Sequence, residues 1–245
     1  MAITPLVAKA TNRPREIEAE QEREIYEWRI YSLNGEDQRL DKFLQNVFIP
    51  AYNRKGVKVG AFKSIQKDNK RFVLLIHKNL MEYNRVRHEV MADKQFLSAA
   101  QSFYDSTAPN PAYSNFETYL GEAFHVWPAL TKPDKKYKVF EFRVYHGPNE
   151  DANKRKIAMF ENRDAINIFE KVGVHSVFYG NIMAGPQMPA MMYLTCFESV
   201  EQRNQAWDDF KATSQWAAMK KMPKYAYTAT RNIKLLICSM EYSQI

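Results

Sequence analysis

Between Glu24 and Leu33 the chain alternates strictly, with Tyr26, Trp28 and Ile30 on one face and Glu27, Arg29 and Tyr31 on the other, which predicts a strand. After an Asn34-Gly35 turn, Leu40, Phe43, Leu44, Val47, Phe48 and Ala51 fall at helical spacing, so the next element is a helix laid on a sheet. Pro50 should kink or shorten that helix near its end, and Gly56 should stop it. Val57 to Ile65 and Arg71 to His77 then read as a hairpin, the second run apolar enough for a central strand. One long helix from about Leu80 to Tyr104 follows, Ala108-Pro109-Asn110-Pro111 breaks it, and Ala123 to Trp127 makes a last strand before Pro128. The order is β-α-β-β-α-β, the ferredoxin-like unit.

The same order is then written again. Phe140-Glu141-Phe142-Arg143-Val144-Tyr145 repeats the aromatic-Glu-aromatic-Arg-β-branched-Tyr pattern of Tyr26 to Tyr31, 114 residues later. Gly173 follows Gly56 by 117 residues, and Trp216 follows Phe96 by 120, a drift that small loop insertions produce. The chain therefore divides into an arm (1–23), a first repeat (24–130), a linker (131–136) and a second repeat (137–245). The expected fold class is α+β: tandem ferredoxin-like repeats (βαββαβ twice) forming an intramolecular α/β barrel. In each repeat both helices cover one face of the sheet, so the other faces should meet and enclose a core that doubles as the obvious pocket. With strand order 4-1-3-2 in each repeat, Cys196 and Cys238 stand on strands separated by a third, which disfavours a disulfide.

Composition narrows the chemistry only a little. Lys and Arg number 35 against 28 Asp and Glu, a net charge of +7 that eases the approach of acidic ligands. The basic residues are scattered apart from Lys132 to Lys138, read as a solvated linker, and no nucleic-acid motif accompanies them. The two cysteines lack zinc spacing, no apolar run is long enough to span a bilayer, and no GxSxG, P-loop, GxGxxG or HExxH is present. A short apolar start ending in Ala8-Lys9-Ala10 leaves the compartment open between a cytoplasmic protein and one exported with its signal removed.

The doubled first strand, the helix ending before Gly-Val, the Val59-Gly60-Ala61-Phe62 run and the closing Met240-Glu241-Tyr242-Ser243 together resemble the NIPSNAP family of the dimeric α/β-barrel superfamily, over roughly residues 24 to 245. That resemblance implies the barrel fold but no settled reaction, since the superfamily mixes cofactor-free monooxygenases, haem-associated enzymes, isomerases and proteins of unknown role.

Alternation carries the candidate site. If Trp28 and Phe142 point at the helices, then Glu27, Arg29, Tyr31, Glu141, Arg143 and Tyr145 point into the space between the sheets. There they form either a polar brace between the halves, the reading that their repetition favours, or a clamp for an acidic ligand with arginine as anchor. His77 and His175 are weaker pocket candidates for a base or a haem ligand, each without an identifiable carboxylate to orient it. His88 and His146 are read as helix-surface and turn residues. No metal site and no cofactor is predicted, with haem left open. The expected partner is a small hydrophobic or anionic molecule or another protein, with homodimerisation through sheet edges as a further expectation. The rival function is a cofactor-independent monooxygenase or isomerase in which a pocket His or Tyr acts as acid or base.

Overall fold

The computed structural model describes residues 22–35, 38–66 and 68–245; nearly all of the arm (1–23) lies outside them. Eight antiparallel strands close a barrel in the order β1-β3-β2-β8-β5-β7-β6-β4, where β1 is Ile25–Leu33, β2 Lys58–Ser64, β3 Lys70–His77, β4 Tyr113–Ala123, β5 Val139–His146, β6 His175–Ala184, β7 Ala190–Phe197 and β8 Arg231–Ser239. Each half contributes the 4-1-3-2 order expected of it, and the halves are sealed by β2 against β8 and by β4 against β6. Both seams are short: β2 and β8 pair only at Phe62–Ser239, Lys63–Cys238 and Ser64–Ile237. Cys196 and Cys238 are free thiols with β5 between their strands.

The helices coat the outside. The first half carries α1 (Arg39–Phe43), a π-helical turn (Leu44–Phe48), α2 (Ile49–Arg54), α3 (Leu80–Met91) and α4 (Lys94–Thr107). The second carries α5 (Glu150–Glu161), α6 (Asp164–Lys171), α7 (Val200–Ala212) and α8 (Ser214–Met219). Pro50 acts as expected but by a specific device. It has no N–H to donate, and the five residues Leu44–Phe48 widen into the π turn before α2 resumes. Gly56 and Gly173 then end the helical layer at φ of +86° and +77°, left-handed backbone that suits glycine. The duplication extends to the caps. Asn79 accepts from the Glu82 amide while the Glu82 carboxylate accepts from the Lys78 amide, and 120 residues on Ser199, Gln202 and Glu198 make the same exchange.

Three expectations need correction. The long helix expected from Leu80 to Tyr104 is two helices, because Asp93 stops α3 and caps α4 by accepting from the amides of Gln95 and Phe96. The last strand of the first half is β4 rather than Ala123 to Trp127, which turns back on itself through a Phe124–Trp127 bridge. Much of β4 is exposed, so its apolar signal is weak, and it is pairing with β1 from Ile25–Glu122 to Ser32–Asn115 that makes it a strand.

The third correction concerns direction. Tyr26, Trp28, Ile30, Phe140, Phe142 and Val144 face the inside of the barrel, not the helices. Trp28 and Phe142 stack face to face at 4.1 Å and 6° across the middle, with Phe62 and Phe178 packed on the same indole at 5.6 and 6.3 Å. The two copies of the signature strand thus meet through their aromatic faces, and the space expected to be a pocket is filled by rings. Outside, Tyr31 and its helices form a second apolar cluster and Tyr145 and its helices a third.

Because Trp28 touches rings from both halves, Trp28→Ala should destabilise the whole barrel by about 3–5 kcal/mol. Urea denaturation should show one transition at a much lower midpoint. An unchanged midpoint would mean that the stack does not hold the halves together.

Candidate functional site

Strand alternation, with Trp28 and Phe142 inside, sends both polar triplets outward beneath the helices. In the first half Arg29 Nε donates to Glu27 Oε1 at 2.7 Å and Arg29 Nη1 reaches the Tyr31 hydroxyl at 3.5 Å. The guanidinium lies between the rings of Phe48 and Phe116, 5.3 and 5.5 Å from their centroids, so apolar groups close the site. His77 is on this same outer face, buried under Tyr83 with ring centroids 5.3 Å apart. Its Nε2 stands 3.7 Å from Glu27 Oε2, a carboxylate neighbour that the sequence did not reveal, yet too long for a hydrogen bond. Burial pushes the Glu27 carboxyl up, but His77 and Arg29 outweigh that and leave it below the usual range.

The second half keeps the triplet and changes its surroundings. Glu141 is fully buried and fully satisfied. Arg143 Nε and Arg203 Nη2 donate to Oε1 at 2.6 and 2.8 Å, and Arg203 Nε and Trp207 Nε1 donate to Oε2 at 2.7 Å each. Burial raises this carboxyl, and the two guanidiniums pull it back below the ordinary carboxylate range. Arg143 also lies 3.6 Å over the Trp207 ring and donates to the Tyr145 hydroxyl at 3.1 Å, which in turn shares a 2.6 Å hydrogen bond with Tyr193.

Above this network is a cavity of about 330 Å³ between the outer face of β5 and β8 and the helices α5, α6, α7 and α8. Its apolar wall is Met159, Phe160, Phe169, Trp207, Phe210 and Trp216; its polar wall is Arg143, Lys156, Arg203, Lys211, Lys234, Tyr145 and Asn232. No Asp or Glu lines it among the described residues. Lys234 sits directly opposite Arg143 in the β5–β8 ladder, a like-charge pairing that is unfavourable by itself. Burial and then Arg143 depress the Lys234 ammonium. Lys211 has a surface partner of its own, Asp208 at 2.7 Å. Larger depressions of about 610 and 860 Å³ lie on the rim around Asp41 and Arg71 and at the barrel end around Lys132 and Ile245, and neither touches a signature triplet.

Of the six triplet residues, Arg143 and Tyr145 line the cavity, Glu141 anchors it from below, and Glu27, Arg29 and Tyr31 brace the first half. His77 lies outside it. His175 is half-buried against Tyr137, 4.7 Å between centroids, and also lies outside it. His88 is exposed on its helix, whereas His146, expected in a turn, ends β5 as a buried residue bonded through Nδ1 to the Gln187 carbonyl. Lys156, Arg203 and Lys234 were missed. For Lys234 a signal existed: in Ile233-Lys234-Leu235-Leu236-Ile237 it falls on the face shared with Leu236, the helix side.

The fold is that of the dimeric α/β-barrel proteins, with both barrel halves in one chain. Within it, residues 140–243 match the model of the NIPSNAP family, so the half that holds the cavity is the half that the match covers. Similar solved structures include an anthrone oxidase-like protein (7% identity, TM-score 0.57, covering 90% of this chain and 92% of that one) and a candidate monooxygenase from Lactobacillus acidophilus (9%, 0.54, 89% and 94%). A haem-binding protein from Thermus thermophilus also matches (8%, 0.50, 90% and 92%). At these identities the likeness is one of fold. A search of curated proteins gives no significant match.

Haem does not fit the residues of this cavity. Neither imidazole nor thiolate lines it, and its one tyrosine hydroxyl is already shared between Arg143 and Tyr193. Among the described residues no group of three or more His, Cys, Asp or Glu is placed to hold a metal ion, and no helix is long and apolar enough to cross a membrane.

Glu141→Gln should cost about 3 kcal/mol, because it strands two guanidiniums that now share one carboxylate. The sign with pH follows from its depressed pKa: the stabilisation is present above the usual carboxylate range and is lost as pH falls through the folded value. Denaturation midpoints measured from pH 7 down to pH 3 should therefore converge for the variant and the parent, and parallel curves would contradict this.

Proposed function

We propose that the protein binds a small molecule with an acidic group on an apolar body, in the cavity of its second half. The carrying observation is the pairing of Lys234 with Arg143 beside Lys156 and Arg203, where Glu141 is the buried carboxylate serving both arginines. An anion in the cavity relieves the like-charge contacts, and Arg143 and Arg203 already present fixed donors through their bonds to Glu141. The aromatic wall takes the apolar body, and a volume of about 330 Å³ suits a ligand at the small end of the usual range.

Divergence between the repeats supports the same reading. The residue opposite Arg29 is Thr118, where the second half has Lys234, and the position 120 residues before Arg203 is Tyr83. A brace needed in both halves gives no reason to add cations to one. The rival, a cofactor-independent oxygenase or isomerase, keeps Tyr145 as its acid or base; a histidine in that role has less support, since His77 and His175 are packed elsewhere.

Titration with 1-naphthoate, followed through Trp207 and Trp216 fluorescence, should saturate. The neutral analogue 1-naphthalenemethanol should bind about tenfold more weakly, and salt should narrow the gap. Lys234→Gln should lower naphthoate affinity by about fivefold, the scale of a partly exposed ion pair. Equal binding of acid and alcohol, or no saturation, would rule the proposal out.

A further inference from the structure

Lys156 is a cation of the cavity that, among the described residues, neither the Glu141 network nor a surface carboxylate engages. It rises from α5 and holds its nitrogen 4.9 Å over the ring of Tyr145, inside the same wall as Arg143. Its charged and titratable surroundings come from four elements. From β5 there are Arg143, Tyr145 and, beneath them, the committed Glu141; from β7 there is Tyr193; from α7, Arg203 and Lys211; from β8, Lys234. Apart from the committed Glu141, this set consists of cations and phenols.

The geometry points to Lys156 as a carbonyl-capturing amine that forms an imine with an aldehyde or ketone whose acidic group rests among Arg143, Arg203 and Lys234. This inference deepens the binding proposal and rests on it, naming the ligand class as anionic oxo compounds with an apolar body. A guanidinium keeps its proton throughout the physiological range, so where Arg143 and Lys156 crowd each other the lysine is the one to give way. Burial first and Arg143 second push its ammonium down to about 8, which leaves roughly a fifth of it as free amine near pH 7.4, against about a thousandth for an ordinary lysine.

The step balances without a co-reactant. The Nζ lone pair attacks the carbonyl carbon as the C=O π pair moves to oxygen. The two hydrogens of the amine leave with that oxygen as water, and a C=N bond remains, with nothing oxidised or reduced. Protonated, the imine acidifies the neighbouring C–H bonds, which is how lysine amines serve catalysis elsewhere. The cations that hold the acidic group place the carbonyl of a short oxo acid within the cavity that Lys156 shares, so selection by charge precedes the covalent step.

Reductive trapping tests this directly. The full chain is incubated at pH 7.4 with 4-formylbenzoate and cyanoborohydride, and the modified lysines are located by peptide mass mapping. Modification should concentrate on Lys156, at least about tenfold faster than on exposed lysines such as Lys154, and should be about tenfold slower with benzaldehyde, which lacks the acid. Lys156→Arg, checked for an unchanged fold by circular dichroism, should abolish the adduct, and Lys154→Arg should leave it intact. Label spread over surface lysines in proportion to exposure would overturn the proposal even if the parent protein binds 1-naphthoate, in which case the binding reading stands alone. Equal labelling of Lys156 by both aldehydes, with no naphthoate binding, would overturn the anion selection that both readings share.

Discussion

The contact on which the rest depends is the stack of Trp28 on Phe142. Each ring is central to its half, and each half has a sheet face that its helices do not cover. Bringing the two faces together hides both, and flat rings stack across the axis of a narrow eight-stranded barrel. Once the aromatic residues are committed to the inside, period-two alternation leaves Glu27, Arg29 and Tyr31, and their copies, no choice but the helix side. The candidate site is therefore a by-product of the way the halves are joined.

On the helix side the two copies have been used differently. In the first half Phe48 and Phe116 pack on Arg29, Tyr83 covers the neighbouring His77, and the triplet's charges are settled locally between Arg29 and Glu27. In the second half Trp207 and Arg203 from α7 reach down to Glu141, and the arginine that the triplet supplies is left with one edge toward a cavity. The same six-residue strand thus serves as a closed ion pair in one place and as the floor of an open basic chamber in the other. The difference lies in a few residues on α7 and β8, and in the room left between the helices.

In the proposed reading, stability and recognition are coupled through Glu141. It neutralises one guanidinium's worth of charge while fixing two, so Arg143 and Arg203 are held in position before any ligand arrives, and the remaining positive charge of Lys156 and Lys234 has no carboxylate on the cavity wall among the described residues. In the proposed reading that excess of positive charge on one wall draws an anionic ligand.

The sequence by itself determined a great deal of the architecture. Alternation, the glycine stops and the repeated six residues were enough for two βαββαβ units and a barrel between them, because each of these follows from local periodicity and from the need to bury a sheet face, whereas the strand order was taken from what is usual for the unit and β4 was misplaced. It also pointed to Arg143 and Tyr145. It set the polar face of the signature strand inward, and the structure reverses that. Both faces are buried, one by the opposite sheet and one by helices, so burial pattern carries no sign, and only the packed rings at the barrel axis decide it. Lys156 and Arg203 were out of reach for a related reason, and Lys234 showed only its strand face: the three come from separate elements, and a cluster of like charges becomes visible as a site only when tertiary packing brings them to one cavity.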